Sequence, residues 1–555
     1  MNNPRQRIKL HIPLCLIWAS ATGFAFIGLG SFGILDNNEG LYADISREML
    51  VSRDWRIWII PHLNGLPYME KPPLLYWLTA LSFVIFGVSE WSSRLVPALS
   101  SLACVAMLLQ FGRLVGRPRA GRLAALMFVS SVGVIAMSRL LMFDMLLTAL
   151  LTAALMYAYR HLHDGKTKWL RLAYACLALA SLTKGSVALV LFALVVLGFI
   201  LLNRRLREWR TWFEPNAMLI FFAIAAPWYV IAGLIDPAYS WLYFYNEHIL
   251  RFLGRREPRD YYSGPWWYYL PRMLAYLFPW SALLSGIYFS ERQPLRTRHP
   301  SLQRFLWLAW LLPLLFFSMS SAKANYYLIV AVPFAAFHLA AVIENRGFLR
   351  GIGGAIPGLL IAGCAAGLYI RVATGAENMR PEVAILGLAI PAFALVMLAG
   401  LALLALGSAY CAWRNPRVGI LAYLVVPAWL TAGLMATMLG IEPLVSTRAL
   451  AAHIQKTLAD REIYLYRDFE AVSSLGLYLN KSLVVVDSHS NDLFWGNRLH
   501  ANNIIISADQ FNAQLSGKPV AIVVTDRQLK SFRENIFFQH FKTQTRIGEV
   551  SVFVN

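Results

Sequence analysis

Charge is scarce in this chain. Only 14% of its 555 residues are Asp, Glu, Lys or Arg, while 58% are hydrophobic, against about 25% and 45–50% in soluble domains. That shortage excludes an ordinary water-soluble fold and makes the bilayer the solvent. Acids are scarcer than bases, 30 against 50, for a formal charge of +20. Such an excess could serve nucleic acid, but the bases fall in short runs between apolar stretches, such as Arg204, Arg205, Arg207 and Arg210. This is the pattern of cytoplasmic loops, so no nucleic-acid partner is expected. Cysteine is rare too: Cys15, Cys104, Cys176, Cys364 and Cys411 all lie in or beside apolar segments, which excludes a disulfide framework and a cysteine zinc site. Short-period repeats and low-complexity tracts are lacking, which sets aside repeat and disordered classes. A Walker-type phosphate loop is lacking as well, so no nucleotide cofactor is expected. The apolar run after Arg5, Arg7 and Lys9 has no clear small-residue cleavage site and reads as a retained anchor with a cytoplasmic N-terminus.

What is present is a long series of apolar runs. About thirteen, between residues 10 and 440, approach the roughly 20 residues a spanning helix needs; those near 120–137, 267–289 and 326–343 are among them. A further run, Pro72 to Gly87, is apolar enough to cross. If it crossed, however, Arg113, Arg117, Arg119 and Arg122 would face outward, with the later basic loops inverted too. Laid in the interface, it leaves these loops, with Arg204–Arg210 and Arg292–Arg304, in the cytoplasm. The reading is a polytopic α-helical inner-membrane protein whose membrane part covers 1–440, with a first periplasmic loop at about 34–95. Residues 36–71, 138–144, 236–265, 322–326 and everything after about 441 then share the periplasmic side. After 441 the apolar content drops and short β-rich runs (Ile463–Tyr466, Leu483–Val486, Ala521–Val524, Val550–Val554) alternate with helical stretches. A small α/β domain is expected over 441–555.

The chemistry-bearing residues cluster on that shared side. In Asp36-Asn37-Asn38-Glu39-Gly40-Leu41-Tyr42-Ala43-Asp44-Ile45-Ser46-Arg47-Glu48-Met49, the positions Ile45, Met49 and Leu50 mark one apolar face of a surface helix. Asp36 and Glu39 lie at its start, where capping and the helix dipole compete with catalysis as explanations. Tyr68-Met69-Glu70-Lys71-Pro72-Pro73 sets an ammonium at headgroup level before a proline-fixed helix start, where it could meet a phosphate or merely snorkel. Asp144 stands at a helix end among apolar neighbours, where a carboxylate is costly and suggests function. Tyr245-Asn246-Glu247-His248-Ile249-Leu250-Arg251-Phe252 is followed by Arg255, Arg256 and Arg259, whose forked donors suit phosphate, and by aromatic residues from Tyr261 to Tyr269. His248 and Glu70 are residue types that pair on a divalent ion such as Zn, Mg or Mn, although a lone histidine is more often an ordinary hydrogen-bonding residue. Lys323, Tyr326 and Lys184 complete the set, as groups that also serve as interfacial anchors.

In Glu39–Met49, Tyr68–Pro73, Phe143-Asp144-Met145 and Asn246–Phe252, in that order, the chain resembles the GT-C membrane glycosyltransferases. The resemblance is to the bacterial relatives of protein O-mannosyltransferases, glycosyltransferase families 39 and 83, and most closely to the lipid A aminoarabinose transferase branch. It implies a GT-C fold of about thirteen spans, interfacial helices in the first outer loop and a C-terminal periplasmic domain. It also implies a polyprenyl-phosphate sugar donor and an envelope acceptor, lipid A first. Catalytic roles fall to Asp36 or Glu39, since relatives carry an Asp-Glu pair where this chain has Asn38-Glu39, and to Asp144. Lys71, Arg251, Arg255, Lys323 and Tyr326 would contact the lipid phosphate, and Glu70 with His248 would hold the metal. The Leu-Pro that often follows the lysine at 323 is missing here.

The reaction expected is direct displacement at the anomeric carbon with inversion, general-base help being worth about 10²–10⁴-fold. Other acceptors remain open, including a protein hydroxyl and another envelope glycan. A lipid or sugar transporter is the rival from another class, though the charged clusters lie on one face instead of at the midplane and no inverted repeat stands out. A partner-binding scaffold would leave the grouped acids and bases unexplained.

Overall fold

The computed structural model describes residues 12–259, 263–283, 300–346, 352–375, 384–500, 502–515 and 518–555. Arg5, Arg7, Lys9, Tyr261, the end of the 267–289 run and most of the basic run 292–304 lie outside the described residues. Two compact units emerge. One comprises Met1–Gly28, Pro97–Pro227 and Tyr262–Gly440; the other comprises Leu29–Val96, Trp228–Tyr261 and Ile441–Asn555.

The first unit is helical. Among the described residues eight helices are long and apolar enough to cross a bilayer: Leu95–Leu114, Phe143–Asp164, Pro215–Ile235, Pro300–Met319, Asn325–Glu344, Ala355–Thr374, Ile390–Arg414 and Val425–Val445. All fall wholly or mainly in this unit, and twenty residues at 1.5 Å each match a hydrocarbon layer of about 30 Å. Leu219, Leu234 and Leu403 on these helices are 66%, 77% and 69% exposed, which only lipid can satisfy. The chain is a multi-pass membrane protein. At its interior, Phe111 packs on Tyr159, Phe334 and Phe337, with centroids 4.9–6.1 Å apart. Helix Pro118–Val129 crosses Leu95–Leu114 so closely that a Cβ on Gly112 would stand 2.6 Å from the Cα of Gly121. Small residues permit such crossings in membranes.

Local chemistry interrupts several of the apolar runs. The 120–137 run breaks into Pro118–Val129 and Val132–Met137. There the Ser130 and Ser131 hydroxyls turn back onto the carbonyls of Leu126 and Met127, a local bond that competes with helix continuation, and the Val132 N–H donates to Phe278 O instead. The 326–343 run opens as a 3-10 turn, Asn325–Ala331, before becoming α-helical at Val332–Arg346. The described part of 267–289 holds the helix Tyr269–Tyr276 and a short 3-10 turn, Trp280–Leu283.

The second unit gathers three stretches far apart in sequence. Pro72–Gly87 becomes the helix Leu74–Phe86, whose 13 residues rise only about 20 Å, too short to span. Helix Asn38–Val51 differs from the one-faced surface helix expected: every residue from Glu39 to Met49 is buried. Gly40 shows why, since a Cβ there would lie 2.4 Å from Ser473 Oγ and 2.7 Å from the Ser474 nitrogen. The last stretch forms a six-stranded sheet from β1 (Glu462–Tyr466), β2 (Val484–Val486), β3 (Ile505–Ile506), β4 (Val520–Thr525), β5 (Thr543–Ile547) and β6 (Val550–Val554). The spatial order is β3-β2-β1-β4-β6-β5. The first four strands are parallel, and β6 runs antiparallel to β4 and β5. β4 is buried at every position, as a central parallel strand covered on both faces must be. Tyr466, Phe511, Phe532, Phe537 and Phe553 form the aromatic core beside it.

Phe532 packs on five other rings, those of Tyr466, Phe537, Phe538, Phe541 and Phe553, and is fully buried. Phe532→Ala is expected to destabilise the sheet by about 3–5 kcal/mol, read as a lowered denaturant midpoint of the full chain in detergent. An unchanged midpoint would contradict this core.

Candidate active site

The densest charge network of the second unit centres on Arg256. Its Nη2 donates to Glu70 Oε1 at 2.5 Å and its Nε to Glu247 Oε1 at 2.6 Å. Arg251 Nη1 donates to the other Glu247 oxygen at 3.2 Å, and Lys71 Nζ stands 3.6 Å from Glu70 Oε2. Three cations thus converge on two carboxylates. Glu247 and His248 are carried by a π-helical segment, Trp241–Leu250, a geometry frequent at functional sites. Its wider turn lets His248 Nδ1 meet the carbonyl of Tyr243, five residues back, at 2.6 Å.

Burial opposes ionisation of Glu70, but Arg256, Lys71 and Arg251 outweigh it and hold the carboxyl below its usual range. Glu247 goes the other way, raised by burial and by the Glu70 charge. Burial lowers His248 to about 4, with Lys71 and Arg251 adding to the effect, so the imidazole is neutral at physiological pH. Arg255, which sequence reasoning singled out, is exposed, while its neighbour Arg256 makes the bridge. Nothing within a run of arginines tells them apart. Arg256 was named only among three arginines suited to phosphate, while Glu247 as an acceptor and Asp492, which borders the same site through Tyr68 Oη, were missed; the Asn246–Phe252 motif was the one signal that could have suggested Glu247.

The two first-loop acids have other partners. Glu39 takes both Nε and Nη2 of Arg94 at 2.9 and 2.8 Å, and the Leu35 N–H as well. Arg94 is completely buried, lies 3.9 Å over the Phe32 ring and donates to the carbonyls of Leu29, Phe32 and Gly33. A carboxylate held on both oxygens by one guanidinium is a tie, poorly placed to take a proton, and this corrects the reading of Glu39 as a base. Asp36 accepts from the Ser474 N–H and hydroxyl at 2.9 and 2.8 Å. Burial drives its carboxyl up to about 8 against those two hydrogen bonds.

In the first unit, Asp144 sits in the first turn of Phe143–Asp164, where the helix dipole favours a negative charge. It accepts from Lys184 Nζ at 2.5 Å. That ammonium also lies 4.4 and 5.3 Å from the ring centroids of Tyr327 and Tyr326, so Asp144, Lys184 and Tyr326 do assemble. Lys323 departs from its expected lipid contact: its ammonium donates to the Phe317 and Ser318 carbonyls at 3.1 and 2.6 Å, closing the end of helix Pro300–Met319.

A divalent ion at Glu70 and His248 fits this arrangement poorly. The neutral imidazole is suitable, but Glu70 already lies on Arg256 and beside Lys71, and an ion would have to displace a guanidinium. Among the described residues no group of three or more His, Cys, Asp and Glu side chains converges. The charge stabilisation available here comes from Lys71, Arg251 and Arg256.

Residues 70–231 match the family of dolichyl-phosphate-mannose-protein mannosyltransferases. An undecaprenyl phosphate-α-4-amino-4-deoxy-L-arabinose arabinosyl transferase of Pseudomonas fluorescens is 30% identical over 499 residues, covering 87% of this chain and 82% of that protein. The crystal structure of ArnT from Cupriavidus metallidurans bound to undecaprenyl phosphate superimposes with a TM-score of 0.82 over 98% of this chain and 97% of that one, at 22% identity. The Archaeoglobus fulgidus oligosaccharyltransferase shares the fold more distantly, with a TM-score of 0.52 at 12% identity over 93% of this chain and 69% of that one. Fold and site together define a membrane glycosyltransferase of the GT-C class. Within it, the chain belongs to the family of undecaprenyl phosphate-α-4-amino-4-deoxy-L-arabinose arabinosyl transferases.

Two expectations follow from the first-loop acids. Arg94→Met strands the buried Glu39 carboxylate and should cost about 3–5 kcal/mol, with much of the loss recovered in the Arg94→Met/Glu39→Gln double variant; melting in detergent measures both. Native Asp36 keeps its proton to about pH 8, whereas the unfolded chain releases it near pH 3.9. The native state therefore binds more protons between those values, and stability falls as pH rises through them. Asp36→Asn should reduce that slope by up to about 1.4 kcal/mol per pH unit. Glu48, raised to about 8 by burial and Asp44, keeps some slope in the variant. Identical slopes in the two proteins would refute the assignment.

Proposed function

We propose that the chain transfers 4-amino-4-deoxy-L-arabinose from undecaprenyl phosphate to a phosphate of lipid A on the periplasmic face of the inner membrane. The observation that carries this reading is the convergence of Lys71, Arg251 and Arg256 on Glu70 and Glu247 in a chain of this family. Such a nest of cations receives the charge that builds on a departing lipid phosphate, as preorganised electrostatic sites do. The sequence's own threading supports the arrangement across the membrane: about thirteen spans, a cytoplasmic N-terminus, interfacial helices in the first outer loop and a periplasmic domain at 441–555.

The step is a displacement. An oxygen of the acceptor phosphate attacks the anomeric carbon, the bond from that carbon to the lipid-phosphate oxygen breaks, and the electron pair leaves with undecaprenyl phosphate. The configuration inverts. Lys71 and Arg251, with the exposed Arg255 within the same segment, grip the leaving phosphate, while Arg256 holds Glu70 ionised and bridges it to Glu247. Asp144, paired with Lys184 beside Tyr326 in the helical unit, helps to position donor or acceptor. Asp36 and Glu39 hold the first loop in place for this work.

The test is transfer of labelled aminoarabinose from undecaprenyl phosphate to lipid A by the purified chain. Lys71→Ala and Arg256→Ala should each lower kcat/KM by about 10²-fold or more, the effect of removing one preorganised charge donor, and Asp144→Asn should also impair transfer. Movement of the lipid-linked sugar across proteoliposomes without transfer to any acceptor would overturn the reading in favour of a transporter.

A further inference from the structure

In the helical unit, Arg272 is fixed in place by neutral groups. Its guanidinium lies 3.4 Å over the Tyr268 ring, its Nη1 donates to the Tyr268 carbonyl at 2.8 Å and its Nε to Asn325 Oδ1 at 2.6 Å. Asn325 Oδ1 also accepts from the Tyr268 hydroxyl at 2.7 Å, so ring, amide and guanidinium hold one another. A guanidinium has five N–H groups, and these bonds use only part of them. Among the described residues no other acceptor takes the rest, and no carboxylate lies within ion-pair distance. The side chain is half-buried, and a fork set in one orientation without an acid is poised for an anion from outside the chain.

Two elements aim it. Helix Tyr269–Tyr276 turns Tyr269 and Met273 inward, and the Tyr269 hydroxyl donates to the Ala324 carbonyl at 3.1 Å, directly before Asn325. Asn325 in turn opens the segment whose Tyr326 and Tyr327 rings meet Lys184 Nζ, the partner of Asp144. The Tyr276 hydroxyl lies within electrostatic reach of both Asp144 and Arg272. On its other side the same helix exposes Leu270 and Leu274, one turn apart, and Trp266 and Trp267 are exposed just before it. Tryptophans collect at the level of lipid headgroups, which sets the unused donors of Arg272 at the depth of lipid phosphates.

We propose that Arg272 is an acceptor-binding residue: its fork takes the phosphate monoester of the lipid acceptor at headgroup depth, beside the Asp144–Lys184 pair. The inference rests on the transfer reading above. A phosphate monoester carries a charge of about −1.5 to −2 at pH 7 and presents more than one oxygen to a fork, so one can be held while another attacks. In the proposed reaction the donor's phosphate has Lys71 and Arg251, a different set of side chains. The lipid-facing Leu270 and Leu274 suit an acceptor whose acyl chains stay in the bilayer.

Full-length wild type, Arg272→Gln and Arg272→Lys, compared at matched melting temperature, are assayed for transfer with lipid A and undecaprenyl phosphate-linked aminoarabinose varied separately, and for binding of labelled lipid A without donor. Arg272→Gln should raise the KM for lipid A and its Kd by about tenfold or more, as losing a hydrogen bond to a charged group does, and leave the KM for the donor unchanged. Arg272→Lys, which keeps the charge but not the fork, should recover part of the loss. Lipid A stripped of its phosphates should bind wild type and Arg272→Gln alike. Equal binding of intact lipid A by wild type and Arg272→Gln overturns the assignment, as does a rise in the KM for the donor instead. A difference that excess phosphatidylglycerol abolishes makes Arg272 a bilayer anchor and overturns it too. Wild type that binds lipid A through Arg272 yet transfers no sugar overturns the transfer reading and leaves the binding site standing.

Discussion

The guanidinium of Arg256 is the constraint on which the second unit turns. It lies between two buried carboxylates, Glu70 and Glu247, that are 177 positions apart in the chain. Removed from water, each acid would revert to its neutral form or destabilise the fold unless a cation met it. A planar fork with several donors meets both at once, which a lysine ammonium does not do in fixed geometry. The same logic recurs at Glu39 and Arg94. Through these forks the first loop and the π-helical segment are tied together, and in the proposed reaction charge placed beforehand costs no rearrangement when a phosphate leaves.

The connectivity has a functional consequence. The residues proposed to grip the phosphate come from Leu29–Val96 and Trp228–Tyr261, yet both stretches pack with Ile441–Asn555 into one compact unit. Asp36 is tied to Ser474, Asn64 to Leu483 and Glu257 to Trp495. The sheet-bearing stretch is thus a brace for loops hundreds of residues earlier, and its Asp492 borders the arginine network through Tyr68. Asp144 and Lys184 form a separate cluster within the helical unit, where their pairing offsets the cost of charge at a helix end.

Legibility varied from element to element for physical reasons. Four strands could be read from dense β-branched runs, whereas β3 has only two residues and β5 reads Thr-Gln-Thr-Arg-Ile, an edge strand whose polar faces leave no pattern. Lys71 stood out because it follows an acid and precedes two prolines, and Asp144 because its neighbours are apolar. Arg256 did not, since Arg255 and Arg259 flank it with the same chemistry, and Arg94 follows two serines that announce nothing. Helix Asn38–Val51 was read as one-faced from the apolar positions Ile45, Met49 and Leu50; Asp44, Arg47 and Glu48 are buried as well, with Arg47 Nε donating to Asp44 Oδ1 at 2.7 Å. Lys323 was read as a headgroup contact, and its ammonium is consumed by two carbonyls at a helix end.

By itself the sequence determined the solvent of this protein, the succession of apolar segments, and the stretches in which chemistry is concentrated. Those properties are local and additive: hydropathy over twenty residues and adjacency of a proline, an acid and a lysine need no knowledge of the rest of the chain. Only the tertiary structure decided which acid meets which base and which arginine of three bridges. Pairing depends on separations of a few ångströms between residues hundreds of positions apart, and burial can move a carboxyl by several pH units, so the role of each charge was settled only when packing had chosen its neighbours.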